Sequence, residues 1–161
     1  MRNPGILSGF FYFHTLAIKL NTMQDNRRQA MSVVVGLLSS MIILTLLEFF
    51  NSKIFPFPAD VDQKDPLAIK AAITAMPIGA KLLQILSYFI SALVGGMVAT
   101  KFVKSESKNP ALIVGGILTF LGLVNTVLMG EEIWMTVLTL LIYIPGAYLG
   151  YKIVSGKQIA S

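Results

Sequence analysis

Four long runs of hydrophobic residues, separated by shorter polar segments, dominate the chain. Each run is close to the 20 or so residues that an α-helix needs to cross about 30 Å of hydrocarbon. A helix satisfies its own backbone hydrogen bonds in lipid, so each run is predicted to be a transmembrane helix. The predicted fold is therefore all-α, a polytopic membrane protein whose four-helix bundle occupies residues 31–154. The predicted spans are residues 32–50, 79–103, 110–129 and 133–154.

The connector between the first two spans, residues 51–78, combines prolines with aspartates in the stretch "FPFPADVDQKDP". The prolines cannot continue the first helix, because proline has no backbone N–H. Asp65 followed by Pro66 is typical of a helix start, with a capping carboxylate and a proline at the first helical position. The pattern predicts a short helix over residues 66–76 that lies in the membrane interface.

The aspartates of this connector also invite a metal-binding hypothesis. Asp60, Asp62 and Asp65 would offer the oxygen ligands that Ca²⁺ and Mg²⁺ prefer. The stretch lacks the glycine and the distal glutamate of an EF-hand loop. Loop solubility and helix capping are the simpler interpretation, and no metal site is predicted.

Composition supports a chain that is solvated largely by lipid. Hydrophobic residues make up 55% of it and charged residues only 13%, against roughly 25% charged residues in an average soluble domain. The absence of cysteine and the single histidine, His14, exclude a disulfide framework, thiolate chemistry and a multi-histidine metal site. No cofactor is predicted.

The basic residues are distributed unequally between the two sides of the predicted bundle. Nine lysines and arginines adjoin the spans on one side of the bundle, and four adjoin them on the other side, where five carboxylates offset their charge. The positive-inside rule assigns the side with nine basic residues to the cytoplasm. Both termini, including the tail 155–161, are therefore expected in the cytoplasm, and the connector outside. We expect a cell (inner) membrane location and no nucleic-acid partner, because the basic residues flank apolar spans and form no dense patch.

Residues 1–30 form a predicted cytoplasmic segment with two interpretations. The stretch "MRNPGILSGFFYFHTLAIKLNT" has a basic start and an apolar middle but is too interrupted to span. One interpretation is an amphipathic surface helix with an apolar face of Phe10, Phe13, Ala17 and Leu20. The other is that Met23 is the true start, which would leave a short tail before the first span.

Polar residues within the spans are the candidate site, because ionisable groups in membrane segments are expensive to bury. Glu48 and Lys81 lie at equal depth near the outer ends of consecutive spans, which predicts an ion pair between them. The ligand-binding candidates are Glu48, Lys81, Gln84, Tyr88 and Asn125.

The polar residues of span two share a face, since Gln84, Ser87 or Tyr88, and Ser91 recur at helical spacing. Hydrogen bonding between helices is the simpler interpretation of this face. An outward-facing polar cavity that binds a small molecule or a lipid headgroup is the alternative.

The layout resembles that of small bacterial four-helix integral membrane proteins of uncharacterised function. The resemblance covers residues 31–154 and rests on the proline–aspartate connector, "AAITAMP", "LVGGMVA" and the "W…IPGAYLG" of span four. It implies a four-helix membrane fold and no particular activity.

A non-catalytic accessory, structural or binding subunit is the function that these features favour. No serine of the spans has a histidine base nearby, since His14 is expected on the cytoplasmic side, so no enzyme is predicted. The expected partners are the lipid bilayer and a second copy or a larger membrane complex. A small transporter or channel protomer with an outward-facing polar cavity is the alternative, and a membrane enzyme is third.

Overall fold

Helices form almost the whole of the described chain. The structure is a computed structural model that describes residues 4–59, 61–62, 64–103 and 107–159, with side chains described between residues 24 and 156. Within these residues there are five α-helices and no strand. Four of the helices are long and apolar enough to cross a membrane. The helices are α1 (Pro4–Ile54), α2 (Pro66–Ala75), α3 (Ile78–Val103), α4 (Asn109–Met129) and α5 (Ile133–Ile159).

Helices occupy the four predicted spans and the predicted connector helix to within a few residues, except that α1 begins well before residue 32. This helix runs unbroken for 51 residues from Pro4, about 77 Å at 1.5 Å per residue. A surface helix followed by a separate span would need a break between them, and the polar stretch "MQDNRRQA" supplies neither proline nor glycine to make one. The expected apolar face of Phe10, Phe13, Ala17 and Leu20 lies outside the described side chains.

Helix α3 occupies the centre of the bundle. It packs most extensively against α1 and α5, and it also contacts α4, which in turn packs against α5 and α1. Small residues permit these close approaches. A side chain at Gly36 of α1 would meet the Cβ of Ala99 and the carbonyl oxygen of Gly95, each 2.8 Å away.

The distribution of side-chain size is that of a protein in lipid. The most buried apolar residues are mainly small, such as Ala92, Ala99 and Ala147, whereas many leucine, isoleucine and phenylalanine side chains are exposed along the four long helices. An aqueous protein seldom exposes so much continuous apolar surface. The chain is a multi-pass membrane protein, and its helices pack closely because small residues allow their backbones to approach.

Hydroxyl groups in the bundle interior bond mostly to their own helix. Ser87 Oγ donates to the Leu83 carbonyl at 2.9 Å, and Ser91 Oγ donates to the Tyr88 carbonyl at 2.8 Å. The prediction of bonds between helices is therefore wrong for these two serines. A carbonyl three or four residues earlier is always within reach of a helical serine, so it is the nearest acceptor.

Candidate functional site

All five predicted site residues line one cavity of about 340 Å³, here called the end cavity. It lies where α1 and α4 end and where α3 and α5 begin. The helices thus bring Glu48, Lys81, Gln84, Tyr88 and Asn125 together around one space.

The connector and the short helix α2 supply much of the apolar wall of the end cavity. Helix α2 begins where predicted, because the Asp65 carboxylate accepts a 2.9 Å hydrogen bond from the Leu67 amide and Pro66 occupies the first turn. The helix ends before Pro77. The larger apolar side chains of the lining are those of Phe55, Phe57, Ile73, Met76, Met129 and Met135.

A row of three side chains joins α1 to α3 along one side of the end cavity. Gln84 Nε2 donates to Glu48 Oε1 at 2.9 Å, and Asn51 Nδ2 donates to Gln84 Oε1 at 3.0 Å. Asn51 Nδ2 also approaches the Ala80 carbonyl oxygen at 3.5 Å. For Gln84, the expectation of hydrogen bonds between helices is confirmed.

This row leaves the side-chain oxygen of Asn51 without a donor among the described residues. Asn51 is only 9% exposed, and the end cavity is the space that it lines. A buried acceptor without a partner is destabilising, typically by about 1–3 kcal/mol. Asn51 is therefore a functional candidate in its own right.

The predicted ion pair between Glu48 and Lys81 is wrong. Lys81 Nζ lies 2.8 Å from Glu132 Oε1, and it donates a second hydrogen bond to the Thr74 carbonyl at 3.0 Å. Lys81 and Gln84 are three positions apart, which separates their directions by about 60° around the helix. Gln84 therefore points to Glu48, whereas Lys81 points to α2 and to the turn between α4 and α5.

This arrangement makes Lys81 a structural link at the rim of the end cavity. Its buried ammonium connects the end of α2 to Glu132, and the Trp134 indole N–H donates to the other carboxylate oxygen of Glu132. These hydrogen bonds hold the pKa of Glu132 below its ordinary value. The positive charge of Lys81 is thereby offset within the wall of the end cavity.

Glu131, the residue before Glu132, lines the end cavity together with Glu48. Unlike the carboxylate of Glu132, which is stabilised in its charged form, that of Glu131 is destabilised in its charged form. Its Oε2 is buried and has no hydrogen-bond partner among the described residues. Burial raises the pKa of Glu131 above its ordinary value, because the charged form loses hydration. In the sequence, Glu131 is one of the five carboxylates that offset the four basic residues on the outer side, and nothing in the pattern marks it as part of a site.

Tyr88 lines the inner end of the end cavity, and its ring packs against a second tyrosine behind it. The buried Tyr88 ring lies 5.7 Å, centroid to centroid, from the buried ring of Tyr143 on α5. The side chains of Gln84 and Asn125 lie beside the Tyr88 hydroxyl. The end cavity thus changes from a polar rim to an aromatic base.

The connector aspartates act locally in the described structure. Asp62 accepts a hydrogen bond from the Lys64 amide at 2.9 Å, and Asp65 caps α2. Asp60 lies outside the described residues. Within the described part of the chain, no group of three or more His, Asp or Glu side chains comes together.

Comparisons with known proteins give no relative for this chain. A scan against protein-family models, a search of curated proteins and a search of solved structures each found no match. The resemblance to small bacterial four-helix membrane proteins stays an interpretation of the sequence.

Proposed function

We propose that this protein binds a small polar ligand non-covalently in the end cavity and acts as a non-catalytic binding or accessory subunit of the membrane. The observation behind this proposal is the pair of buried acceptors, Asn51 Oδ1 and Glu131 Oε2, that have no donor among the described residues. A ligand that donates to these atoms would offset the cost of their burial.

The chemistry of the lining supports binding rather than catalysis. Nucleophilic catalysis needs a nucleophile beside a base that a third group orients. The described lining contains no histidine, and its one serine, Ser52, donates its hydroxyl to the Phe49 carbonyl at 2.8 Å. The carboxylates and amides of the wall are better suited to holding a ligand.

The packing below the end cavity favours binding over transport. The contact between Tyr88 and Tyr143 lies at its inner end. Further along the bundle, Gly96 of α3 adjoins the backbone of Ala147 on α5 so closely that a Cβ would lie 2.7 Å from the Ala147 Cα. A transporter would have to separate helices that are packed backbone to backbone.

The proposal includes an orientation and a location. Nine basic residues against four support an orientation with both termini in the cytoplasm, which places the end cavity outside, and the cell (inner) membrane is the proposed location. Lipid is the expected partner of the exposed apolar surface, with a second copy or a larger membrane complex as a further partner and no nucleic acid.

Native mass spectrometry of protein purified in mild detergent tests ligand binding. We expect a small molecule to remain bound to the wild type and to be absent from Asn125→Phe, which places a ring in the end cavity. Val124→Phe is the matched control, because Val124 is the neighbouring exposed residue and does not line the cavity. Equal retention by both variants would contradict binding in the end cavity.

Cysteine labelling tests the orientation, since the native chain contains no cysteine. An impermeant thiol reagent applied to intact cells is expected to label Ser52→Cys, whereas Ser155→Cys is labelled only after permeabilisation. The reverse pattern would place the end cavity in the cytoplasm.

A further inference from the structure

We infer that the ligand of the end cavity is an organic ammonium ion that carries N–H donors and an apolar body. This inference rests on the proposed function and specifies its ligand.

The hydrogen-bond row fixes Asn51 Oδ1 as an acceptor. The Glu48 carboxylate can only accept, so the amide nitrogen of Gln84 must point toward it. Gln84 Oε1 then accepts from Asn51 Nδ2, and the Ala80 carbonyl adds a second acceptor on the same side. The oxygen of Asn51 is what remains, and a ligand must bring a donor to it.

The second unpaired atom, Glu131 Oε2, is also an acceptor. Its carboxylate and that of Glu48 both line the end cavity, and neither pairs with a lysine or arginine among the described residues. The cation of the lining, Lys81, is already bound to Glu132. The end cavity therefore has a net negative charge and unused acceptors, which selects a cation with N–H groups.

The remaining wall selects an apolar body next to that cation. Phe55 and Phe57 line the end cavity from the connector, and Met76 lines it from the end of α2. An ammonium within about 6 Å of an aromatic face gains a cation–π attraction. Methionine adapts to apolar groups of varied shape.

Two other cations fit less well. Ca²⁺ takes six to eight oxygen ligands, whereas no cluster of three His, Asp or Glu side chains occurs in the described chain. A quaternary ammonium has no N–H, so it would leave Asn51 Oδ1 unpaired. A primary or secondary ammonium meets both the charge and the donor requirement.

Such an ammonium has two sources, a free amine or the ethanolamine headgroup of a lipid. Their shared chemistry is the N–H-bearing cation, and membrane composition separates them. A lipid headgroup in the end cavity would compete with a soluble amine, so amine binding would weaken in nanodiscs of phosphatidylethanolamine relative to phosphatidylcholine. Equal affinity in the two lipids would identify a free amine.

Three probes with one ring and different charges test the ligand class: 2-phenylethylammonium, 2-phenylethanol and 3-phenylpropanoate. Isothermal titration calorimetry in phosphatidylcholine nanodiscs is expected to detect binding of the ammonium alone. Glu131→Gln should weaken it by about fivefold to tenfold, since the glutamine oxygen still accepts but a charge-assisted hydrogen bond becomes a neutral one. Asp62→Asn, which removes an exposed carboxylate outside the end cavity, should leave the affinity unchanged.

Two results would overturn the inference. The first is binding of the alcohol or the carboxylate as tight as that of the ammonium, and the second is the absence of ammonium binding to a wild type that unfolds cooperatively. Either result leaves the proposed function standing if Asn125→Phe still removes the molecule retained in native mass spectrometry. Equal retention in both phenylalanine variants would instead reject the end cavity itself.

Discussion

Gly96 is the position where one added methyl group should most disturb the bundle. A Cβ built there would lie 2.7 Å from the Cα and 2.8 Å from the carbonyl carbon of Ala147, and closer still to its carbonyl oxygen. Ordinary van der Waals contact begins at 3.4 Å. Because the obstacle is backbone, Gly96→Ala must push α3 and α5 apart by several tenths of an ångström or more.

Gly116 on α4 provides the matched control. It is also the second glycine of a pair in the middle of a long helix, but no atom lies within 4 Å of its built Cβ. Gly116→Ala should therefore show only the helix-propensity gain of about 1 kcal/mol. Overpacking costs about 1–3 kcal/mol, so Gly96→Ala should be less stable than Gly116→Ala by roughly that amount.

Unfolding in mixed micelles, followed by far-UV circular dichroism across a denaturing-detergent titration, measures this difference. Adding Ala147→Gly to Gly96→Ala should not restore stability, because the atoms in the way belong to the Ala147 backbone rather than to its methyl group. Equal stability of the two alanine variants, or full rescue by Ala147→Gly, would refute the close backbone approach of α3 and α5.

Three further predictions concern the rim of the end cavity. Asp65→Ala should destabilise α2 by about 1 kcal/mol through the lost cap, whereas Asp62→Ala should not, as amide exchange of α2 would report. Lys81→Met should lower stability, and adding Glu132→Gln should recover part of the loss; additive effects in this thermal-unfolding cycle would mean that the two residues do not interact. Glu131→Gln should raise thermal stability at neutral pH. The raised pKa of Glu131 means that burial penalises its charged form, so the penalty is absent at low pH and grows as pH rises through the folded-state pKa; a wild type that is more stable than Glu131→Gln at neutral pH would contradict this.

The spans could be predicted because burial in lipid needs a long apolar run, and such runs are visible in one sequence. The same criterion could not find the start of α1. Hydropathy reports where lipid contacts the chain, whereas helicity continues through polar residues unless proline or glycine interrupts them. The stretch "MQDNRRQA" has neither, so α1 continues as a helix through these polar residues into the first span.

The site residues could be predicted as a group but not as pairs. Depth in the membrane follows from position along a span, and it correctly placed Glu48 near Lys81 and Gln84. Direction around the helix axis depends on how the helices pack, which one sequence does not specify. The partners therefore differ from the predicted pair: Glu48 bonds to Gln84, and Lys81 bonds to Glu132.

Two functional candidates were missed because their positions resemble those of ordinary helix ends. Asn51 is the first residue of the predicted connector, where an exposed asparagine needs no explanation, yet the structure places it in α1 and buries it. Its spacing of three from Glu48 places both on one face of α1, and that was the available signal. Glu131 follows the α4 cap at Gly130, whose φ of 64° turns the chain back toward the end cavity.

The charge of the end cavity and the charge of the whole chain have opposite signs. The proposed ligand class and the proposed membrane orientation therefore depend on different residues. The net charge of +5 comes mainly from basic residues at the other ends of the spans, and these support the orientation. The ligand class depends instead on Glu48, Glu131 and Asn51, whose arrangement is internal to the bundle. If labelling were to invert the topology, the end cavity would face the cytoplasm with the same unpaired acceptors, and an ammonium ion would still be the ligand that satisfies them. The membrane side thus decides where the ligand comes from, while the hydrogen-bond row decides what it is.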